Sequence, residues 1–312
     1  MEKELDALFM ALLGQAKDQT YIGEIAIITI KSLLPSKEDL GVRLDYRRFM
    51  EELKLWSYYR TGYNKSLFNI RNLEPDLYFR EGDDSIFARI LALVIANKDL
   101  EILSGQLIKN ILFTSGSLED LFENLLLARL LAMKLAGQED YVAGLKEFLI
   151  SFAQDEFLEN YGGFYRLDTS LYRGNFKVDF EMEKVKLLSF LNGASLEGYS
   201  GLREVLALLL GEELEPGTLP ARTLEAFLSG QEAKLANFYK NMASYLVRLR
   251  AGRIDPDLLY IKDYVLPDIF EFEEGQVFFH SLLGEARLVR KEEGEGETAL
   301  VQTKTGFYLL KK

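Results

Sequence analysis

The sequence predicts an all-α helical bundle with a small β-rich extension at its C-terminal end. From the start to about residue 252, apolar residues recur at intervals of three and four, which places them on one face of a helix. From about residue 258 the pattern changes to short β-prone runs separated by glycines and acidic clusters. We therefore expect a helical domain over residues 1–252 and a β-rich extension over residues 258–312 that packs on it.

Two helices are predicted by both their periodicity and their ends. In segment 117–136, Ser117 is placed to cap the first turn and Gly137 to end the helix. Segment 231–251 carries an apolar stripe and is followed by Gly252, which is typical of a helix end. Similar patterns predict helices over 3–17, 44–60, 84–97, 100–113, 139–160, 178–192, 200–212 and 219–230.

Residues 21–34, YIGEIAIITIKSLL, are rich in β-branched side chains that also suit a strand. The run is long for a strand and does not alternate strictly between polar and apolar residues. We predict a buried helix here.

The extension is predicted to form a small sheet. Its β-prone runs are LLYIKDYVLPDIFEF, QVFFHSLL, EARLVRK, ALVQTKT and GFYLLKK, and the acidic run 292–297 is typical of an exposed hairpin or loop. The single histidine, His280, lies in one of these runs and is interpreted as an ordinary sheet residue. A mechanism in the helical domain that needs imidazole as a base is therefore disfavoured.

Composition narrows the class of protein. The 312 residues are 48% hydrophobic, enough for one large core. The absence of cysteine excludes disulfides, thiolate nucleophiles and cysteine-ligated metals. No apolar run reaches the roughly 20 residues of a membrane span, and no signal-peptide pattern is present, so a cytoplasmic location without a membrane partner is expected. The net charge of −12 disfavours nonspecific nucleic-acid binding.

A local positive patch lies between Leu53 and Arg80, where five cations against two carboxylates give a net charge of +3. Aromatic side chains are interleaved with these cations, so Arg60, Tyr63 and Lys65 are candidates to bind a phosphorylated ligand with a base or ribose. The alternative is a pair of helices whose aromatic side chains are core and whose cations are solvated.

Two hydroxyl- or carboxylate-rich segments precede predicted helices. Asp83, Asp84 and Ser85 follow Gly82 and would either cap a helix or bind a hard cation. Thr114 and Ser115 lie in a turn whose free backbone N–H groups could hold an anion, but the favoured interpretation is an ordinary interhelix turn.

The order of these segments over residues 7–230 resembles the ADP-ribosylglycohydrolase family. Ala11-Leu12-Leu13-Gly14 is similar to the start of the family's first helix, which normally leads into Gly-Asp-Ala-Leu-Gly; here Asp18-Gln19-Thr20-Tyr21-Ile22 takes that place. Val205 to Gly211, followed by Leu219-Pro220, resembles the family's Ala-Gly-Ala-Leu-Leu-Gly helix and the Ile-Pro after it.

The family's metal motifs are degenerate in this chain. Counting back from Ser32-Leu33-Leu34 places Thr20, Tyr21, Ile22 and Gly23 on the family's Thr-Asp-Asp-Thr motif, and counting back from Gly211 places residues 197–201 on its Gly-Asp-Thr-Asp-Thr motif. The four aspartates are thus replaced by Tyr21, Ile22, Gly198 and Ser200. The Gly82 segment falls on Gly-Asn-Gly-Ser with Ala88 in an arginine's place, and Thr114-Ser115 falls on a Thr-His pair.

The resemblance implies an all-α fold and a ligand cleft between helices, where the family uses two magnesium ions. Magnesium needs several hard oxygen ligands, which the four replacements lack, so no cofactor is expected. The first hypothesis is an inactive homologue that binds ADP-ribose, a nucleotide or a protein partner in the former cleft.

Two other hypotheses remain open. One alternative is an active, magnesium-dependent glycohydrolase with relocated metal ligands. The nearby carboxylates that could serve as those ligands are Asp18, Glu24, Asp83, Asp84 and Glu197. The other alternative is a structural or interaction scaffold whose cleft is filled by side chains such as Tyr21 and Tyr199.

Overall fold

The computed structural model describes residues 2–18, 20–154, 157–231, 233–294 and 296–312. It is mostly helical, with a small antiparallel sheet at the C-terminal end, as predicted. The α-helices in the described ranges are α1 Glu2–Gln15, α2 Thr20–Lys31, α3 Tyr46–Tyr59, α4 Lys65–Asn69, α5 Pro75–Arg80, α6 Ile86–Ala96, α7 Leu100–Leu112, α8 Leu118–Leu135, α9 Tyr141–Gln154, α10 Phe157–Tyr161, α11 Phe176–Leu191, α12 Ser200–Leu209, α13 Leu219–Leu228 and α14 Asn237–Arg250.

Helix α6 lies at the centre of the bundle. Every residue from Ile86 to Ala96 is buried, and the helix packs on α1, α2, α7, α8 and α14. Its sequence is apolar on all sides, as a helix enclosed by other helices requires. Arg89 is the one charged residue in it, and its partners lie at the end of the helix that faces the candidate site.

Helix α8 has the ends that the sequence predicts. The Ser117 hydroxyl accepts a hydrogen bond from the Asp120 N–H, and Gly137 follows the last turn with a φ of 72°. Because α8 packs on both α6 and α12, its first turns are held between the two elements that form the candidate site.

The segment 21–34 is helical only to Lys31. The chain then forms a two-stranded antiparallel hairpin, in which β1 (Leu33–Pro35) pairs with β2 (Val42–Leu44). The sequence did not predict this hairpin, because Leu33 and Leu34 continue the apolar run of the helix. The Asp45 carboxylate accepts from two backbone N–H groups and starts α3 directly afterwards.

Two other predicted boundaries differ. The predicted helix 139–160 corresponds to α9 and α10, with residues 155–156 outside the described ranges. The predicted helix 231–251 begins only at Asn237, so residues 233–236 form an extended approach to α14.

The C-terminal sheet is a four-stranded meander in the order β3-β4-β5-β6, with β3 Val277–His280, β4 Gly284–Glu293, β5 Glu297–Thr303 and β6 Gly306–Lys311. One face packs on α3 through Leu55, against Phe278, Leu288 and Val301. The acidic run 292–297 spans the β4–β5 turn, residue 295 being outside the described ranges.

The first β-prone run of the extension, 258–272, does not form a strand. It is irregular and contains a short 3₁₀ turn at Ile269–Glu271, which the Asp268 carboxylate caps by accepting from the Phe270 N–H. Turn chemistry at Pro267 and Asp268 therefore overrides the β propensity of this run. His280 lies on β3, where burial lowers its pKa and its Nδ1 accepts from the Leu282 N–H.

Among the described residues, none of the helices combines the length and the apolar composition that crossing a bilayer requires.

Candidate functional site

An open cleft of about 690 Å³ lies beside the first turns of α6, α8, α12 and α13. Four segments that are distant in sequence converge on it: residues 63–65, 81–87, 120–127 and 200–222. The lining residues are Tyr63, Asn64, Lys65, Glu81, Gly82, Asp83, Asp84, Phe87, Asp120, Glu123, Asn124, Leu127, Ser200, Gly201, Gly217, Thr218, Leu219, Pro220 and Arg222.

Carboxylates dominate the lining of this cleft. Five acidic side chains face two cations, Lys65 and Arg222, and the Lys65 ammonium lies 3.7 Å from the Glu81 carboxylate. Ionised carboxylates are hydrogen-bond acceptors only, so the cleft favours ligand groups that donate, such as hydroxyls and amines.

A buried ion pair lies under the cleft floor. Asp83 and Arg89 are fully buried, and Arg89 Nη1 lies 2.8 Å from Asp83 Oδ2. Arg89 also donates to the Ser85 and Thr114 hydroxyls at 2.8 and 2.7 Å, and to Asn110 Oδ1 at 3.1 Å. Ser85 and Thr114, which the sequence suggested as ligand contacts, are thus buried partners of this arginine and do not line the cleft.

The pKa of Asp83 reflects this arrangement. Burial by itself raises it, but the charge of Arg89 and hydrogen bonds from Thr114, Ser85 and Arg89 outweigh burial, so the pKa is lowered. The ionised form of Asp83 is therefore favoured, and its Oδ1 accepts from the Ser85 N–H and hydroxyl at the start of α6.

Asp120, in the first turn of α8, is a cleft carboxyl whose pKa is strongly raised. Its pKa is raised to about 7: burial is the largest cause, the charges of Asp83 and Glu123 add to it, and hydrogen bonds from Ser115 and from the Asp83 N–H oppose the rise. The Asp83 N–H donates to Asp120 Oδ2 at 3.0 Å. Ser115 is itself buried, so it acts on the cleft through Asp120 and does not line it.

Asn64 and Tyr21 hold the exposed carboxylate of Asp84. The Asn64 amide donates to Asp83 Oδ1 at 2.9 Å and to Asp84 Oδ1 at 2.6 Å, and the Tyr21 hydroxyl donates to Asp84 Oδ2. Burial and the bond to Asp84 raise the pKa of Tyr21. A Cβ on Gly62 would lie 2.6 Å from the Tyr21 ring, so this glycine makes room for the ring beside the cleft.

The start of α12 is already bonded to carboxylates of α8. The Tyr199 N–H donates to Glu119 Oε1 at 3.2 Å, and the Leu202 N–H donates to Glu123 Oε1 at 3.1 Å. Gly198 has a φ of 76°, and a Cβ on it would lie 2.6 Å from Glu119 Oε1. The N-terminal N–H groups of α12 that would suit a ligand phosphate are therefore partly occupied by these two carboxylates.

The structure separates the sequence-predicted ligand residues into two groups. Tyr63, Lys65, Asp83 and Asp84 line the cleft. Arg60 does not: its guanidinium lies over the Phe68 ring at 4.7 Å and over the Tyr63 ring at 5.5 Å, and its Nη1 donates to the Gly62 carbonyl at 2.5 Å. Stacking on these aromatic rings directs Arg60 away from the lining.

The positions that the resemblance places on metal motifs also differ in whether they reach the cleft. Ser200 is exposed in the cleft lining, and Tyr21 reaches it through Asp84, whereas Ile22 is buried in the core. Tyr199 is buried with its hydroxyl on Glu183 at 2.7 Å and leaves the cleft open. The side chains of Asp18 and Thr20 and all of Gln19 lie outside the described part of the structure.

Glu24, one of the candidate carboxylates for a relocated metal site, is bonded to other partners. Glu24 accepts from the Trp56 indole N–H and from the Thr61 hydroxyl, both at 2.7 Å. In the described ranges, no group of three histidine, aspartate or glutamate side chains has an arrangement that would hold a metal ion.

Sequence reasoning missed Asn64, Asp120, Glu123 and Arg222 as lining residues. Asp120 and Glu123 are three residues apart and so face the same side of α8, a spacing that the sequence contains and that could have indicated their shared position. In comparisons with protein-family models, curated proteins and solved structures, nothing matches this chain.

Proposed function

We propose that this chain is a catalytically inactive, ADP-ribosylglycohydrolase-like protein that binds a ribose-containing small molecule, such as ADP-ribose or a nucleotide, in the acidic cleft. The observation that carries the proposal is the convergence of Tyr63, Lys65, Asp84 and Ser200 on one open cleft. Tyr63 and Lys65 come from the positive patch, Asp84 from the segment that the resemblance places on Gly-Asn-Gly-Ser, and Ser200 from a position that it places on a metal motif.

The chemistry of the lining supports a ribosyl ligand. Asp84, Asp120 and Glu123 offer acceptors to the hydroxyls of a ribose, and the exposed ring of Tyr63 offers a stacking surface for a base. Lys65 and Arg222 are the cations of the lining that would meet a ligand phosphate. The volume of about 690 Å³ lies in the range of small-molecule sites.

The absence of hydrolysis in this proposal rests on the residues at the metal-motif positions. Tyr21, Ile22, Gly198 and Ser200 supply no carboxylate. The Tyr21 hydroxyl donates a hydrogen bond to Asp84 Oδ2, an oxygen that a cation would otherwise contact. Two magnesium ions close together need several carboxylates to offset their repulsion.

The test is thermal unfolding with ADP-ribose and with adenosine, each with and without magnesium. A ligand that binds only the folded state stabilises it and so raises the unfolding midpoint. The gain in stability grows with the logarithm of the ligand concentration relative to Kd and is about 2.7 kcal/mol at a hundredfold excess. We expect a rise that does not depend on magnesium. No rise with either ligand at millimolar concentration would reject the proposal.

A blocking variant locates the binding. Ser200→Trp places an indole in the cleft and is expected to abolish the rise, whereas Ser151→Trp, at an exposed position of α9 outside the lining, is expected to keep it. Incubation with an ADP-ribosylated arginine substrate and excess magnesium is expected to release no ADP-ribose. Release that depends on magnesium would instead establish the enzyme hypothesis.

A further inference from the structure

A second cavity, of about 740 Å³, lies on the other side of Arg222, which lines both cavities. Three cations line it: Lys17, Arg222 and Lys234. Among the described residues, two neutral amides, Gln15 and Gln231, also line it. Among the lining side chains that the structure describes, none is acidic, so we call this cavity the basic pocket.

The fold assembles the basic pocket from three separate segments. Lys17 follows the last turn of α1, Arg222 lies in the first turn of α13, and Lys234 lies in the extended approach to α14. A Cβ on Gly14 would lie 2.8 Å from the Ala233 Cβ, so the glycine lets this approach segment lie directly against α1. The three cations are thus brought together by tertiary packing.

The cations of the basic pocket are available to a ligand. Lys17 and Lys234 are exposed, and neither forms a salt bridge within the described residues. Arg222 Nη1 donates to the Gly217 carbonyl at 2.6 Å, which fixes the guanidinium on the wall shared with the acidic cleft. Like charges that line one cavity repel one another, and an anion bound between them offsets that repulsion.

The contrast with the rest of the molecule is large. The chain has a formal net charge of −12, and the neighbouring cleft carries five carboxylates. A cavity lined by three cations in such a chain concentrates anions locally, because field lines focus in a concave site. A guanidinium fork beside ammonium groups matches the geometry of phosphate oxygens.

We propose that the basic pocket binds the phosphate groups of a small phosphorylated molecule. Its volume exceeds what one phosphate ion fills and lies within the range of sites for small molecules, so we take a diphosphate as the minimal ligand. Lys17, Lys234 and Arg222 contribute charge and donors, and the amides of Gln15 and Gln231 contribute neutral donors.

The experiment is isothermal titration with inorganic pyrophosphate in a buffer free of divalent cations, with succinate as a second anion of equal size class. We expect pyrophosphate to bind and succinate to bind at least tenfold more weakly. Each of Lys17→Gln and Lys234→Gln is expected to weaken pyrophosphate binding about tenfold, the effect of one charge-assisted hydrogen bond. Lys177→Gln, which removes an exposed cation of α11, is the matched control and is expected to change nothing.

Absence of pyrophosphate binding at millimolar concentration, or equal affinity of the two lysine variants and the native chain, would overturn the proposal. Equal binding of succinate would overturn the assignment to phosphate. Unfolding midpoints of the lysine variants within about 2 °C of the native value show that they fold, since exposed substitutions change stability little. The Ser200→Trp variant is expected to retain pyrophosphate binding, so failure of the cleft proposal and failure of this one are distinguishable.

Discussion

Replacing Arg89 by methionine tests whether the buried ion pair under the cleft holds the site together. Arg89 and Asp83 are both fully buried, and their charged atoms are 2.8 Å apart. Removing one partner of such a pair leaves a buried charge without compensation, which costs about 3–5 kcal/mol of unfolding free energy. The matched control is Arg173→Met, which breaks an exposed pair with Asp76 and is expected to cost at most about 1 kcal/mol.

The cost of Arg89→Met is expected to depend on pH. In the native protein the pKa of Asp83 is lowered, so its contribution to stability is fully present above the unfolded pKa and is lost as the pH falls through the lowered folded-state pKa. Without Arg89, burial acts unopposed by that charge and the pKa rises above its usual value. Protonation then relieves the buried charge, so the cost of the substitution becomes smaller as the pH falls.

The assay is urea unfolding followed by far-ultraviolet circular dichroism at pH 7.5 and pH 5, with the native chain, both variants and the double variant Asp83→Asn/Arg89→Met. We expect the double variant to recover part of the stability lost at pH 7.5. A cost of Arg89→Met below about 1 kcal/mol, or a cost that is equal at both pH values, would refute the reasoning.

Three further predictions concern the cleft and the sheet. Because the pKa of Asp120 is raised to about 7, its stabilising contribution is present in acid and declines as the pH rises through that value. The difference in unfolding midpoint between pH 5.5 and pH 8.5 should therefore be smaller in Asp120→Asn than in the native chain. An unchanged difference would argue against this role of Asp120. Gly198→Ala places a Cβ at a positive φ and against Glu119, so it should lower the free energy of chemical unfolding by about 1–3 kcal/mol. The control, Gly163→Ala, meets open space at a negative φ and should lower it by less than about 1 kcal/mol. Leu55→Ala should lower the free energy of unfolding by about 2–5 kcal/mol and speed hydrogen exchange in β4 and β5, because this side chain joins α3 to the sheet. Unchanged exchange in both strands would contradict this packing.

Most of the helical architecture followed from local pattern. Apolar periodicity placed the centre of α8, and Ser117 and Gly137 marked its ends, because capping depends on residues within one turn. The local pattern predicted the wrong secondary structure where the same residue types suit two different conformations. Leu33 and Leu34 continue a helical apolar run yet pair in a strand, and residues 258–272 are β-prone yet irregular.

For the site, the sequence by itself determined which residue types are present: no cysteine, one histidine in the sheet, and tyrosine, isoleucine, glycine and serine at the metal-motif positions of the resemblance. Only the tertiary structure decided which of them meet. Asp120 faces Asp83 across 37 positions of sequence, and Arg222 lines both the acidic cleft and the basic pocket. Such neighbours are set by how α6, α8, α12 and α13 pack, and helix packing depends on the shapes of whole faces, which no single segment of sequence specifies.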